Sequence, residues 1–242
     1  MAQLHWLLAA GVVACAGGAP AERRPQRDPD LRDGLEENRV AMLKEQIEAR
    51  GIRDPLTLAA LRAVARHEFV PARLVDQAYE DRPLPIGHGQ TISQPYIVAF
   101  MTEALELQAG QRVLEVGTGS GYQAAVLAAC GVEVFSIEIV EPLAREASER
   151  LARLGYTNVS VRAGDGYAGW PEQAPFDAII ITAAAPRIPE PLKRQLRDGG
   201  RMIVPVGDEF QELIVVTRRG DVFEQRSVLP VRFVPMTGDV RE

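Results

Sequence analysis

Residues 112–122 read Arg-Val-Leu-Glu-Val-Gly-Thr-Gly-Ser-Gly-Tyr, an apolar strand running straight into glycines at every second position. Glycine reaches positive φ and carries no Cβ. Gly117, Gly119 and Gly121 therefore let the main chain turn sharply and approach a bound molecule before a helix begins near Gln123. Strand, glycine turn and helix in that order place a nucleotide-type cofactor at the carboxyl end of a parallel strand. A tight turn with no ligand has the same spacing, so the loop alone does not separate the two.

Two acidic positions downstream tip the balance. Glu138 closes the next apolar run, residues 132–137, about 20 residues on, where an acid accepts both ribose hydroxyls. Asp165, in Ala-Gly-Asp-Gly, follows a third strand-like run at 159–162 and with Gly166 is expected to face the adenine. Singly, Glu138 reads as a solvated strand-end charge and Asp165 as a turn former. At the ends of successive strands, they describe one cleft.

The kind of cofactor narrows by exclusion. Tyr122 stands where a dinucleotide fingerprint has its third glycine, and no Gly-Lys-Ser/Thr follows to make a P-loop. Glu115, just ahead of the loop, repels a diphosphate and suits a cofactor with an amino group and a sulfonium. Leu-Glu-Val-Gly-Thr-Gly-Ser-Gly resembles motif I of S-adenosylmethionine-dependent methyltransferases.

Around this loop the pattern is that of an α/β chain. A helical stretch from about Asn38 carries Val40, Leu43 and Ile47 on an apolar stripe that Gly51 closes. Asp54-Pro55 then supplies an N-cap and first-turn proline for a helix over 56–64. Residues 83–95 form a loop dense in Pro and Gly, followed by a helix over 96–105. Beyond the glycines, helices at 142–154 and 189–196 alternate with strands at 176–182 and 201–206. This alternation predicts a doubly wound, mostly parallel, Rossmann-like sheet covered on both faces. Strand-like runs at 213–218 and 227–234, joined without a helix, predict an antiparallel edge.

The chain has 242 residues, 46% of them hydrophobic, enough for one substantial core. The expected division is a leader and disordered tether over 1–34 and one methyltransferase domain over 35–242, its helical lead-in at 35–82 and its core at 83–242. A net charge of -6, with no basic run or aromatic-basic interleaving in the body, argues against a nucleic-acid substrate. Proteins or small molecules are the expected partners, and a monomer is expected. Cys130, beside Ala128, Ala129 and Gly131, reads as helix-end packing, and with Cys15 in the leader no disulfide or metal framework follows.

The leader has two readings. Its apolar centre, residues 7–15, is too short to span a bilayer, and Val-Val-Ala-Cys at 12–15 resembles a bacterial lipoprotein cleavage box. No Lys or Arg precedes it, and the Pro- and Arg-rich run at 20–33 reads as a tether. Export or lipid anchoring through residues 1–20 is one reading. The other is a start assigned upstream of a cytoplasmic protein, the compartment where the inferred cofactor is made.

A second constellation lies ahead of the first sheet strand, Gln90-Thr-Ile-Ser-Gln-Pro-Tyr96. Locally, Ser93 reads as a helix N-cap with Pro95 in the first turn, and such a helix start presents free N–H groups to an anion. Gly-x-Gly-Gln-Thr-Ile-Ser-Gln-Pro followed by Val-Leu-Glu-Val-Gly-Thr-Gly-Ser-Gly-Tyr resembles the protein-L-isoaspartate O-methyltransferase family. Phe69-Val-Pro71, the run 163–166 and the tail Phe233-Val-Pro235 extend the similarity over about residues 38–238.

The resemblance implies transfer of a methyl group from S-adenosylmethionine to the free α-carboxylate of isoaspartyl residues in damaged proteins. It implies Ser93 as the active-site serine. Glu115, Gly117, Thr118, Gly119, Gly121, Glu138, Asp165 and Gly166 would hold the cofactor, with Thr237 near its adenosine and no metal. A carboxylate is already ionised near neutral pH, so no His-Asp pair is required, and His88 and His67 read as a loop residue and a structural one. Two alternatives are a small-molecule methyltransferase of the same fold and a non-catalytic, envelope-tethered cofactor-binding protein.

Overall fold

The computed structural model describes residues 29–241; the leader and most of the expected tether, residues 1–28, lie outside the described residues. Helix α1 (Pro29–Ala41) begins ahead of the expected boundary at residue 34, its proline at a position where a missing N–H costs no helical hydrogen bond. A π-turn (Met42–Ile47) and a 3-10 turn (Glu48–Arg50) follow, and Gly51 at φ 99° ends the run as expected. Leu43 and Ile47 are buried but Val40 is 53% exposed, because the helix widens after Ala41 and Met42 takes the inward position. In α2 (Pro55–Ala63) the Asp54 carboxylate caps the first turn, accepting from Thr57 N at 2.7 Å.

The segment read as a loop at 83–95 is instead a small hairpin, β1 (Leu84–Gly87) against β2 (Gln90–Ile92), turning at His88 (φ 51°) and Gly89 (φ 70°). Its strands are too short, and too rich in Pro and Gly, to register as alternation. Helix α3 (Pro95–Ala104) follows directly.

The main sheet has seven strands: β3 (Arg112–Val116), β4 (Glu133–Glu138), β5 (Val159–Ala163), β6 (Phe176–Ile181), β7 (Leu196–Val206), β8 (Gln211–Arg219) and β9 (Val222–Val231). They lie in the order β5-β4-β3-β6-β7-β8-β9, parallel through β7, with β8 and β9 antiparallel. Strand β9 starts earlier than expected because the two-residue link Gly220-Asp221 returns the chain at once. Its exposed Glu224, Gln225 and Arg226 hide the alternation.

Side chains of the parallel strands alternate between two apolar layers. Val113, Val134 and Ile180 join Met42, Leu61 and Met101 of the helical lead-in and α3, together with Leu127 of α4 (Tyr122–Ala129). Leu114, Ile137, Ile179 and Val204 face the other way, toward Leu192 of α6 (Glu190–Gln195). Helix α5 (Glu141–Arg153) connects β4 to β5. The chain leaves β3 on one side through β4 and β5 and returns on its other side as β6. A crevice therefore opens at the carboxyl ends of β3 and β6, the switch point where α/β sheets take ligands.

Candidate active site

The glycines after β3 build that crevice from bare backbone. Gly117, at φ 98°, donates its N–H to Ile137 O at 2.8 Å, and a Cβ there would stand 2.3 Å from Thr182 Oγ1. The Thr182 hydroxyl, just past β6, donates back to Gly117 O at 2.6 Å. Gly121, at φ 86°, starts α4, where a Cβ would press on Leu151 Cδ1 at 3.2 Å. Gly166 lies against β3, with room for no Cβ within 2.4 Å of Val116 Cγ1.

Glu138, at the end of β4, is only 5% exposed. Its Oε2 accepts from Gly119 N at 2.8 Å and its Oε1 from Val140 N at 3.0 Å. Two backbone amides thus fix the carboxylate, and each oxygen keeps a lone pair for a ligand hydroxyl. Around it the pocket wall is Val116, Gly117, Gly119, Ile137, Ile139, Gly166 and Thr182, closed on the far side by Val234, Pro235, Met236 and Thr237. None of the lining residues is Lys or Arg. The donor set is thus an acid placed for paired hydroxyls, apolar walls for a flat base and no cation for phosphate, which fits an adenosyl group without phosphates.

Two further cavities adjoin it. One is lined by Ser93, Thr118, Gly119, Ser120, Tyr122 and Gln123. The other is an open groove of about 870 Å³ running past Arg50, Ser93, Gln94, Ile97 and residues 229–235. Thr91 and Thr182 line all three, so pocket and groove meet beside the half-buried Ser93.

Ser93 is not the cap of α3. Pro95 occupies the first helical position, so the cap falls on Gln94, and no side chain bonds to the free N–H groups. The Ser93 backbone is anchored from below. Its carbonyl accepts from Nη2 of the fully buried Arg66 at 2.7 Å, while Arg66 Nε donates to Ala78 O at 2.7 Å and the guanidinium lies 4.8 Å from the Tyr122 ring centre. Burial lowers the Arg66 pKa to about 10, leaving it charged at neutral pH.

The expected cofactor residues divide by placement. Gly117, Gly119, Glu138, Gly166 and Thr237 line the first pocket, and Thr118 lines its neighbour. Gly121 shapes the turn without lining either. Glu115 lies beneath the loop, fully buried; the Ser136 hydroxyl donates to its Oε2 and contacts Thr118 Oγ1 at 2.5 Å, while its Oε1 has no partner. Burial, the main cause, pushes the Glu115 carboxyl up to about 8. Asp165 gives its oxygens to backbone, Oδ1 accepting from Tyr167 N at 2.8 Å and Oδ2 from Asp239 N at 2.7 Å. Thr182, Arg66 and Ile139 were not singled out from the sequence. A threonine closing the apolar run 178–181 was the available signal for Thr182; nothing local marks Arg66. His88 is exposed in the hairpin turn, and His67 Nδ1 meets the Tyr79 hydroxyl at 2.8 Å. Among the described residues no group of three or more His, Cys, Asp or Glu is arranged to hold a metal ion, and no helix is long and apolar enough to cross a membrane.

A phosphate-free nucleoside pocket at the switch point of a mostly parallel sheet is the architecture of Rossmann-like S-adenosylmethionine-dependent methyltransferases. Known proteins narrow the class. The family model for protein-L-isoaspartate(D-aspartate) O-methyltransferase matches residues 37–241. Protein-L-isoaspartate O-methyltransferase 2 of Shewanella sediminis is 57% identical over 202 residues, covering 83% of this chain and 83% of that protein. The Gloeobacter violaceus protein-L-isoaspartate O-methyltransferase is 57% identical over 199 residues, 81% of this chain and 97% of that one. Among solved structures, a protein-L-isoaspartate O-methyltransferase superposes with TM-score 0.77 at 30% identity, covering 85% of this chain and 67% of that one. A Plasmodium falciparum protein of the beta-aspartate methyltransferase type, in complex with S-adenosyl-L-homocysteine, does so with TM-score 0.72 at 27% identity, covering 81% and 97%. The chain belongs to the protein-L-isoaspartate(D-aspartate) O-methyltransferase family.

Proposed function

We propose that this chain is a protein-repair methyltransferase that esterifies the free α-carboxylate of L-isoaspartyl residues in damaged proteins and peptides. The observation that carries the reading is the junction at Thr91 and Thr182, where a pocket fit for an adenosyl group opens onto a groove containing Ser93. In this reading Glu138 holds the ribose hydroxyls, the loop 117–119 receives the methionine portion, and Val116, Ile137, Ile139 and Gly166 enclose the adenine with Thr237 at its edge. Gly121 and Asp165 serve by shaping the loop and the tail.

S-adenosylmethionine supplies a sulfonium methyl, and displacement by a carboxylate oxygen forms the ester as the carbon–sulfur bond breaks. The acceptor, with an ordinary pKa of about 3 to 4, is already ionised at neutral pH, so no residue needs to remove a proton. Ser93 orients the carboxylate by donating a hydrogen bond from its hydroxyl. Arg66 acts from beneath, fixing the Ser93 carbonyl and thereby the hydroxyl's position. The tail at 234–237 keeps water from the junction, and alignment of this kind is worth several kcal/mol of barrier. The methyl ester then closes to a succinimide with loss of methanol, and hydrolysis returns part of it as normal aspartate.

The test is methyl transfer from labelled S-adenosylmethionine to an isoaspartyl peptide and to its aspartyl twin. Labelling of the first alone is expected; equal labelling of both, or of neither, rules the function out. Ser93→Ala is expected to lower kcat/KM for the peptide about 10- to 100-fold, the scale of one lost oriented hydrogen bond, with S-adenosylhomocysteine binding retained. Wild-type activity in that variant removes Ser93 from the chemistry.

A further inference from the structure

The segment 233–239, beyond the last sheet strand, is held at three points. In the middle, Ala184 N donates to Val234 O at 2.8 Å and Met236 N to Ala184 O at 2.7 Å. At the far end Asp239 N donates to Asp165 Oδ2, and Gly238 passes so close that a Cβ would stand 2.2 Å from that oxygen. At the near end regular pairing has stopped, because β9 ends at Val231 opposite Gln211, the first residue of β8. There the Gln211 side chain substitutes for a strand. Its Oε1 accepts from Phe233 N at 2.6 Å and its Nε2 donates to Phe233 O at 3.2 Å, the two bonds a neighbouring backbone would make.

The segment so held is a wall with two faces. Val234, Pro235, Met236 and Thr237 line the pocket, while Phe233, Val234 and Pro235 line the groove. Val234 and Pro235 belong to both, and Gln211 lines neither. We propose that Gln211 is a positioning residue for methyl transfer, its side-chain amide setting the wall that methyl-donor pocket and acceptor groove share. This rests on reading those cavities as donor and acceptor sites. A residue in the lining of one cavity shifts the affinity of one ligand. A residue that only stabilises the fold shifts the melting temperature and neither affinity. Loss of the Gln211 clamp moves a common wall, so both ligands weaken together.

The experiment compares the wild type with Gln211→Leu, which keeps bulk but makes no hydrogen bond. In steady-state assays with S-adenosylmethionine and an isoaspartyl peptide, Gln211→Leu is expected to raise both KM values about tenfold, the scale of one net hydrogen bond. A Gln211→Leu variant with unchanged KM values, or with only one raised, overturns the proposal. If Gln211→Leu does not fold, Gln211→Asn, whose amide is one methylene too short, carries the same expectation. Failure of the wild type to methylate the peptide sinks the acceptor reading instead. Calorimetric binding of S-adenosylhomocysteine then still reads the donor side of the wall, and unchanged affinity in Gln211→Leu overturns the role of Gln211.

Discussion

Glu115→Gln separates a charged ligand-binding carboxylate from a neutral buried one. Glu115 has no solvent exposure, one oxygen without a partner, and a carboxyl pushed from 4.5 to about 8, mainly by burial and partly by Glu138, against the opposing Ser136 hydrogen bond. Between those two values the unfolded chain carries the charge while the native one keeps the proton. The native state therefore binds more protons, and stability falls as pH rises. The contribution is complete below about pH 4.5 and is lost progressively up to about pH 8, at about 1.4 kcal/mol per pH unit. Over the full window this amounts to roughly 5 kcal/mol. Glutamine has nearly the same shape and does not titrate, so its different hydrogen bonding adds only a constant offset. Urea unfolding of both proteins at pH 5, 6, 7 and 8 is expected to show the variant gaining on the wild type by about 1.4 kcal/mol per unit, with equal m-values. Parallel stability curves would mean that Glu115 titrates alike in both states, and the neutral-carboxyl account would fail.

Other perturbations reach different parts of the site. Gly117→Ala places a methyl 2.3 Å from Thr182 Oγ1 at φ 98°, and should lower S-adenosylhomocysteine affinity in calorimetry more than tenfold while costing about 1–3 kcal/mol of stability. Wild-type affinity there would contradict the close approach of Gly117 and Thr182 past the ends of β3 and β6. Arg66→Met leaves the Ala78 and Ser93 carbonyls without their donor, and urea unfolding should show a loss of about 2–4 kcal/mol together with a raised KM for the peptide. An unchanged peptide KM would detach Arg66 from Ser93. Burial lifts the Cys130 thiol to about 12, so iodoacetamide at pH 8 should label it in urea and not in the native protein, as read by peptide mapping.

Much of the architecture was legible because its determinants are local. The φ values of Gly117, Gly119 and Gly121 are all positive, so the turn after β3 follows from residue type alone. Asp54-Pro55 and Gly51 bound their helices for similarly local reasons. Strand β9 and the β1–β2 hairpin were harder to read, since solvent-facing charge and short Pro- and Gly-rich segments remove the period on which recognition depends.

The residues of the site were a different matter. Glu115, Glu138 and Asp165 look alike in sequence, each an acid at the end of a strand. Strand alternation turns Glu115 under the loop, the Gly119 and Val140 amides hold Glu138 at the pocket, and the tail returning from β9 engages Asp165. Arg66 and Gln211 carry no local mark, because their partners lie 27 and 22 residues away. The sequence by itself determined the alternation of helices and strands that builds the main sheet, the backbone turn that receives a cofactor, and membership of the methyltransferase family. Only the tertiary structure decided which acid faces the pocket, what anchors Ser93 and which wall donor and acceptor share, because those contacts join residues that meet only when β3 lies beside β4, the lead-in packs beneath Ser93 and the tail folds back over the crevice.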